Sequence, residues 1–226
     1  MNDIDLILQR TGVDLTNLQQ GSGDWRRLRL GVITASNAVN LLAAGRGGKG
    51  WGEKKKTYLL DLVAEVCTGQ SPEVTSRPME WGKGYEDDAR YAFSFVTDLG
   101  IEEVPFIYKD DSLRCGASPD GICSDGAGLE LKCPYNTSVY LDFRLNGEIK
   151  PEYIAQCQFS MWVTGRERWY FANYDPRMKV EGLHYITIDR DQKVMKALDE
   201  QVPEFIEAMD AALADLGVTF GEQWQC

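Results

Sequence analysis

The spacing of apolar residues divides the chain into a helical first part, a strand-rich middle and a helical end. Trp81, Tyr85, Ala89, Ala92 and Val96 recur at steps of four and three. On a 3.6-residue period they make one apolar stripe, which predicts a helix over 79–97. Further helices are predicted over 54–68 and about 151–164. Val194, Leu198, Val202, Phe205, Met209, Leu213 and Leu216 predict helix from 191 to 216, with Pro203 expected to kink or break it. The segment from Asp24 to Leu30 reads as a short basic helix, and Ser36 is placed to cap the apolar run Ala38 to Leu42. Strand-like segments cover 101–108, 113–118, 120–124, 128–133, 167–173 and 183–188. This order predicts an α/β fold with a mixed central sheet flanked by helices. No repeat or long linker divides it, so one domain is expected over 1–226. Its helical part runs to about 98, its sheet core over about 99–188, and its C-terminal helical segment from about 190.

The chain is long enough to bury a sizeable core, and 43% hydrophobic with 26% charged residues is an ordinary globular composition. No secretory signal and no run of ~20 apolar residues is present, so an intracellular, cytoplasmic protein without membrane contact is expected. Six cysteines (67, 115, 123, 133, 157, 226) form no C-x-x-C pair, which favours reduced thiols over disulfides. A metal cluster of Cys115, Cys123 and Cys133 would match no familiar spacing. His184 is the single histidine; multi-histidine metal sites are excluded and a histidine-based triad is disfavoured. Residues 43–52 form a glycine-rich loop, but the residue after its Gly-Lys pair is Gly50, and the spacing of a phosphate-binding loop is missing. The net charge of −11 argues against non-specific coating of nucleic acid. It is unevenly spread, however. No base follows Ala197, whereas Arg46, Lys49, Lys54, Lys55 and Lys56 cluster around a single acid, Glu53. An acidic exterior around a basic channel would reconcile this charge with a DNA substrate.

The chemistry concentrates between Ser118 and Cys133. In a strand over Leu129–Cys133, the residues Leu129, Leu131 and Cys133 point one way, Glu130 and Lys132 the other. Asp125-Gly126 signals a hairpin turn. With a three-residue loop over 125–127, Ser124 pairs with Gly128, Ile122 with Glu130 and Asp120 with Lys132. Asp120 then shares a face with Glu130 and Lys132, at ~5 Å for opposed and ~7–8 Å for diagonal neighbours. A loop of two or four residues would reverse the face. Two carboxylates without histidine or paired thiols suit a hard cation such as Mg²⁺ or Mn²⁺, and a lysine beside it can orient a water. The competing reading is an exposed strand bearing a Glu–Lys pair near an unrelated turn aspartate.

Pro119-Asp120 … Glu130-x-Lys132 resembles the core motif of the PD-(D/E)xK nuclease superfamily. Longer stretches resemble one branch of it, the phage lambda exonuclease family of viral recombinase-type alkaline exonucleases. They include Leu28-Arg29-Leu30-Gly31-Val32-Ile33-Thr34-Ala35-Ser36, Ala64-Glu65-Val66-Cys67-Thr68-Gly69, Ser118-Pro119-Asp120-Gly121, Leu129-Glu130-Leu131-Lys132-Cys133-Pro134, and Tyr170 through Met178. The likeness covers essentially the whole chain.

The resemblance implies a PD-(D/E)xK-like fold and processive 5′-to-3′ digestion of one strand of linear double-stranded DNA to mononucleotides. It implies a homotrimer ring, two Mg²⁺ ions (Mn²⁺ as substitute) and cooperation with a single-strand annealing protein in recombination. By the same resemblance Asp120, Glu130 and the Leu131 carbonyl are metal ligands, Lys132 sits beside the attacking water, and Glu86 serves the second metal. Periodicity alone does not select Glu86, since Asp88 lies nearer the apolar stripe. Arg29, Ser36 and Ser118 match residues that hold a terminal 5′-phosphate; Arg46 would track the DNA backbone, and Met79 would wedge the terminal base pairs. Gln158 shares a helix face with Ile154, Met161 and Trp162, where its amide needs a partner: substrate phosphate, the catalytic water network, or a buried structural hydrogen bond. The chain departs from the family in Tyr135-Asn136-Thr137-Ser138, which lacks an expected arginine at 138, and in Arg77-Pro78. The alternatives are an endonuclease on the same metal core, which would cut closed circles, and a non-enzymatic acidic interaction domain.

Overall fold

The computed structural model describes residues 4–45, 50–72 and 75–225. Helices α1 (Ile4–Thr11) and α2 (Gly23–Leu28) precede strand β1 (Ile33–Thr34), a 3₁₀ turn over Ala35–Asn37, α3 (Ala38–Leu41) and α4 (Glu53–Thr68). Helix α5 (Arg77–Thr97) starts where the Ser76 side chain accepts from the Met79 N–H and Pro78 occupies the first turn, where its missing N–H costs nothing. Short strands follow: β2 (Ile101–Glu102), β3 (Ile107–Tyr108), β4 (Cys115–Ala117), β5 (Gly121–Cys123) and β6 (Gly128–Lys132). The chain closes with α6 (Thr137–Asn146), α7 (Pro151–Thr164), β7 (Arg168–Tyr174), β8 (Leu183–Asp189) and α8 (Gln192–Asp215).

The α/β class holds, with two mixed sheets instead of one. The larger has the order β2-β5-β6-β7-β8, antiparallel except for the parallel pair β6–β7; the smaller has the order β1-β4-β3. The expected strand over 101–108 is split between them. Pro105 lacks the N–H a ladder needs, and the chain crosses from one sheet to the other around it.

Strand β6 is covered on both faces. On one, Ala89 and Phe93 of α5 pack on Leu129, Leu131, Cys133 and Ala172. On the other, Phe143, Cys157 and Met161 pack on Trp169, Phe171 and Ile188. A third core joins α4, α7 and α8 to the small sheet. The α5 stripe continues from Ala89 to Phe93; Val96 is exposed, because a step of four keeps Phe93 over the sheet while Val96 rotates past its edge. Helix α8 runs through Pro203 unbroken, held by the buried row Met195, Leu198, Val202, Phe205, Met209 and Leu213. Helix α6 was not foreseen, since it buries only Tyr140 and Phe143. Ser36 does not cap α3. It lies inside the 3₁₀ turn, and its hydroxyl is near Thr34 Oγ1 instead (3.3 Å). The five described cysteines are free, and Cys115 packs in a different core from Cys123 and Cys133, so no three-cysteine site forms. Among the described residues no helix is long and apolar enough to cross a membrane.

Candidate active site

The β5–β6 hairpin aligns the central carboxylates. Gly121 pairs with Leu129 and Ile122 with Gly128, while the Cys123 N–H donates to the Ala127 carbonyl (2.9 Å). The loop has three residues, as expected, but they are 124–126. The Asp125 carboxylate accepts from the Ala127 N–H (3.0 Å), and Gly126 takes φ +90, which few residues other than glycine tolerate. Moving the loop back by one residue shifts the pairing by two. The ladder ends at Gly121–Leu129, and Asp120 lies just beyond it, where its backbone meets Leu129 and its carboxylate meets Leu131, so it is not set against Lys132.

Asp120 is fixed from both sides: its N–H donates to the Leu129 carbonyl (3.1 Å), and its Oδ2 accepts from the Leu131 N–H (2.5 Å). Glu130 is buried, and its Oε1 accepts from Lys132 Nζ and from Gln156 Nε2 (2.7 Å). Glu86 reaches the same place from α5. Arg90, one turn later, donates to Glu86 Oε1 (2.9 Å), to the Asp120 carbonyl (2.9 Å) and to Asp87 (2.7 Å).

Three carboxylates thus converge on two cationic side chains. Burial, and then the facing Glu130, raise the Asp120 carboxyl above its ordinary range; burial and then Asp120 do the same to Glu86. Burial opposes the charge on Lys132, yet Glu130 and Asp120 outweigh it and hold the ammonium above the usual lysine value. These groups form no ready-made cage: no three His, Cys, Asp or Glu among the described residues are gathered around one point at ion-binding distance. The reason is visible in the pairing, where Lys132 occupies Glu130 and Arg90 occupies Glu86. The donor set is nonetheless all oxygen and carries excess negative charge, which fits a hard divalent cation. Leu131 adds to it. On a strand a residue's N–H and C=O share an edge, so its carbonyl lies on the Asp120 side, past the end of β5.

A second polar corner forms around Ser118, two residues upstream of Asp120. The half-buried Arg29 donates to Ser118 Oγ (3.1 Å) and Ser36 Oγ (3.4 Å), and its guanidinium lies 4.2 Å from the Trp25 ring centroid. Trp25 Nε1 also donates to Ser118 Oγ (3.0 Å). Enclosure pulls the Arg29 pKa down to about 10, which still leaves it charged at neutral pH. The resulting corner has a planar cation and two hydroxyls, a set that suits a terminal phosphate.

Both corners open into one groove of about 1540 Å³, lined by Arg29, Glu86, Asp120 and Lys132, with the exposed Met79 on its wall. Acids outnumber bases along this lining, so among the described residues this groove is not a basic channel. Positive charge is local, at Arg26, Arg29, Lys83, Arg90 and Lys132. Arg46 lies outside the described residues.

Gln158 is a correction. Its Nε2 donates to the Asp189 carbonyl (2.8 Å) and its Oε1 accepts from the Asp191 N–H (2.9 Å), so its amide joins β8 to α8. Gln156 is the glutamine that reaches the carboxylates. Its sequence signal was its spacing of three from Tyr153, whose ring lies 5.0 Å from Lys132 Nζ and marks the α7 face over β6. Arg90 was also missed; its signal was the i, i+4 spacing from Glu86.

The family model described as YqaJ-like viral recombinase domain matches residues 24–167. The protein ExoD of Escherichia coli (strain K12) is 62% identical over 87 residues, which are 38% of this chain and all of ExoD. Among solved structures, an alkaline exonuclease (LHK-Exo) from Laribacter hongkongensis is similar with a TM-score of 0.77 and 28% identity, covering 87% of this chain and 96% of that one. The structure of LHK-Exo in complex with dAMP gives 0.76 and 29%, with 86% and 96% covered. A phage related exonuclease from Haemophilus somnus 129PT shares the fold, at a TM-score of 0.66 and 10% identity over 82% of this chain and 96% of that one.

Proposed function

Since the chain belongs to the YqaJ-like viral recombinase domain family, we propose that it is a Mg²⁺-dependent exonuclease. It digests one strand of linear double-stranded DNA processively from a 5′-phosphorylated end to mononucleotides. The observation that carries this reading is the pairing of two corners in one groove: Asp120, Glu130, Lys132 and Glu86 at one, Arg29, Ser36 and Ser118 at the other. Ser118 of one corner stands two residues before Asp120 of the other, so a terminal phosphate held by Arg29 would leave a neighbouring phosphodiester near the carboxylates. The likeness to LHK-Exo, an alkaline exonuclease also solved with dAMP, supports a nuclease that handles nucleoside monophosphates.

Asp120, Glu130, the Leu131 carbonyl and Glu86 would hold two Mg²⁺ ions, for which Mn²⁺ would substitute. Bound Mg²⁺ polarises a phosphodiester and lowers the pKa of a water. Lys132 directs a hydrogen-bond donor at the attacking water and offsets phosphate charge. Gln156 steers the Glu130 carboxylate, and Arg90 holds Asp120 and Glu86 together across the β5–α5 gap. Arg29 with two hydroxyls favours a terminal phosphate over a hydroxyl. Met79, exposed on the groove wall, would part the end of the duplex, and Arg46 would follow the backbone.

A homotrimer ring would surround DNA and keep it at the site between cuts, and the 3′ strand left behind would be the substrate of a single-strand annealing protein in recombination. For the chemistry, Asp120→Asn and Glu130→Gln are expected to lose cleavage while retaining duplex binding in a gel-shift assay. Turnover near the starting level in either variant would contradict the assignment.

A further inference from the structure

Asn173 lies one strand from Lys132. In the parallel pair β6–β7 the register sets Glu130 against Phe171 and Lys132 against Asn173. Paired residues on neighbouring strands project from the same face, so Asn173 and Lys132 stand side by side on the face covered by α6 and α7. Asn173 is 4% exposed, and its Oδ1 is enclosed without a hydrogen-bond partner among the described residues. A buried acceptor left unpaired opposes folding, and its retention calls for a donor that arrives in another state of the protein.

The register names that donor. Lys132 Nζ now rests on Glu130 Oε1, which Gln156 Nε2 also occupies. On the reading given under Proposed function, Glu130 binds a divalent cation. The ion would compete for the same oxygen and repel the ammonium. Tyr153, whose ring is 5.0 Å from Nζ, closes the α7 side. The vacant oxygen of Asn173 remains on the β7 side.

We propose that Asn173 is a positioning residue for Lys132: its buried Oδ1 accepts from the ammonium when a cation takes Glu130, and so fixes the direction in which the lysine meets the substrate. The orphaned acceptor is the ion-free half of a two-position arrangement.

Asn173→Leu removes the acceptor and keeps the number of side-chain heavy atoms and the branch at Cγ. If Asn173 serves only to hold the fold, this variant melts lower and loses activity in proportion. If it positions Lys132, the ion-free variant melts at or above the wild-type temperature, because an unpaired acceptor has been removed. Its Mg²⁺ affinity, read by calorimetry without DNA, stays within about twofold, while kcat falls about 10–100-fold at nearly constant KM. Asn173→Asp, which keeps an oxygen acceptor, recovers most of the lost kcat. An unchanged kcat in Asn173→Leu, or a loss of melting temperature that tracks the loss of activity, overturns the proposal. Lys132→Ala run in parallel separates the two levels. Wild-type-like cleavage by Lys132→Ala would overturn the reading of the site itself. An inactive Lys132→Ala beside a fully active Asn173→Leu would overturn the Asn173 role alone.

Discussion

Lys132→Met tests how the carboxylates are held without a metal. Asp120, at the end of β5, and Glu130 on β6 are close enough to repel one another, and the Lys132 ammonium is the cation bound to Glu130. At a pH that ionises both groups, removing that charge leaves two carboxylates ~5 Å apart, a repulsion of about 3 kcal/mol at an effective dielectric of ~20. Asp120 is partly exposed and Arg90 touches its carbonyl, so a net loss of about 2–3 kcal/mol is expected in EDTA. For a chain of this size that lowers the melting temperature by about 4–12 °C. In Mg²⁺ the gap should narrow, because the ion takes the place of the ammonium between the same oxygens. Scanning calorimetry of both proteins in EDTA and in saturating Mg²⁺ measures all four values. Equal melting temperatures in EDTA, or a gap that Mg²⁺ does not narrow, would refute the reasoning.

Gln156→Ala is expected to lower turnover about 10–100-fold with little change in melting temperature, since it frees Glu130 from one of its donors. Gln158→Ala should do the reverse, costing about 1–3 kcal/mol by stranding the Asp189 carbonyl and Asp191 N–H, with kcat of the folded enzyme retained; steady-state kinetics and urea melts on the pair check both. Arg29→Ala should erode the preference for a 5′-phosphate over a 5′-hydroxyl end, and a competition digest with the two ends shows a preserved preference if Arg29 is not in that pocket. Gly128→Ala places a methyl 2.2 Å from the Trp169 ring and should destabilise by about 1–3 kcal/mol in denaturant unfolding.

How far the sequence carries depends on the symmetry of each element. A hairpin of odd loop length places Asp120, Glu130 and Lys132 on one face wherever the loop is centred, so the face was legible while the register was not. The turn chemistry of Asp125 and Gly126 decided the register by one loop position, as the Ala127-to-Asp125 hydrogen bond and the Gly121–Leu129 pairing show. Helix α7 was legible over its whole span, but every residue from Cys157 to Val163 is buried. A lone amide there is no guide to the site, because backbone groups at a helix junction satisfy it as well as a substrate would. What mattered was the face turned to β6, set by Tyr153 and Gln156, and that depends on a strand far away in the chain. Glu86 could be read only by resemblance, since it lies beside the apolar stripe and not on it. Its place at the site follows from Arg90, which spans from Glu86 to the Asp120 backbone. The division into two sheets was hidden for a similar reason. Pro105 marks an interruption, but nothing local says that β3 joins β1 and β4 instead of rejoining β2.

The most direct test of the account is a time course on end-labelled linear duplex beside nicked and closed circles, in Mg²⁺ and in EDTA. The account predicts Mg²⁺-dependent loss of one strand from 5′-phosphorylated ends, release of mononucleotides, and untouched closed circles. Cleavage of closed circles would replace the exonuclease with an endonuclease on the same carboxylates, and no cleavage with any divalent cation would contradict the nuclease reading.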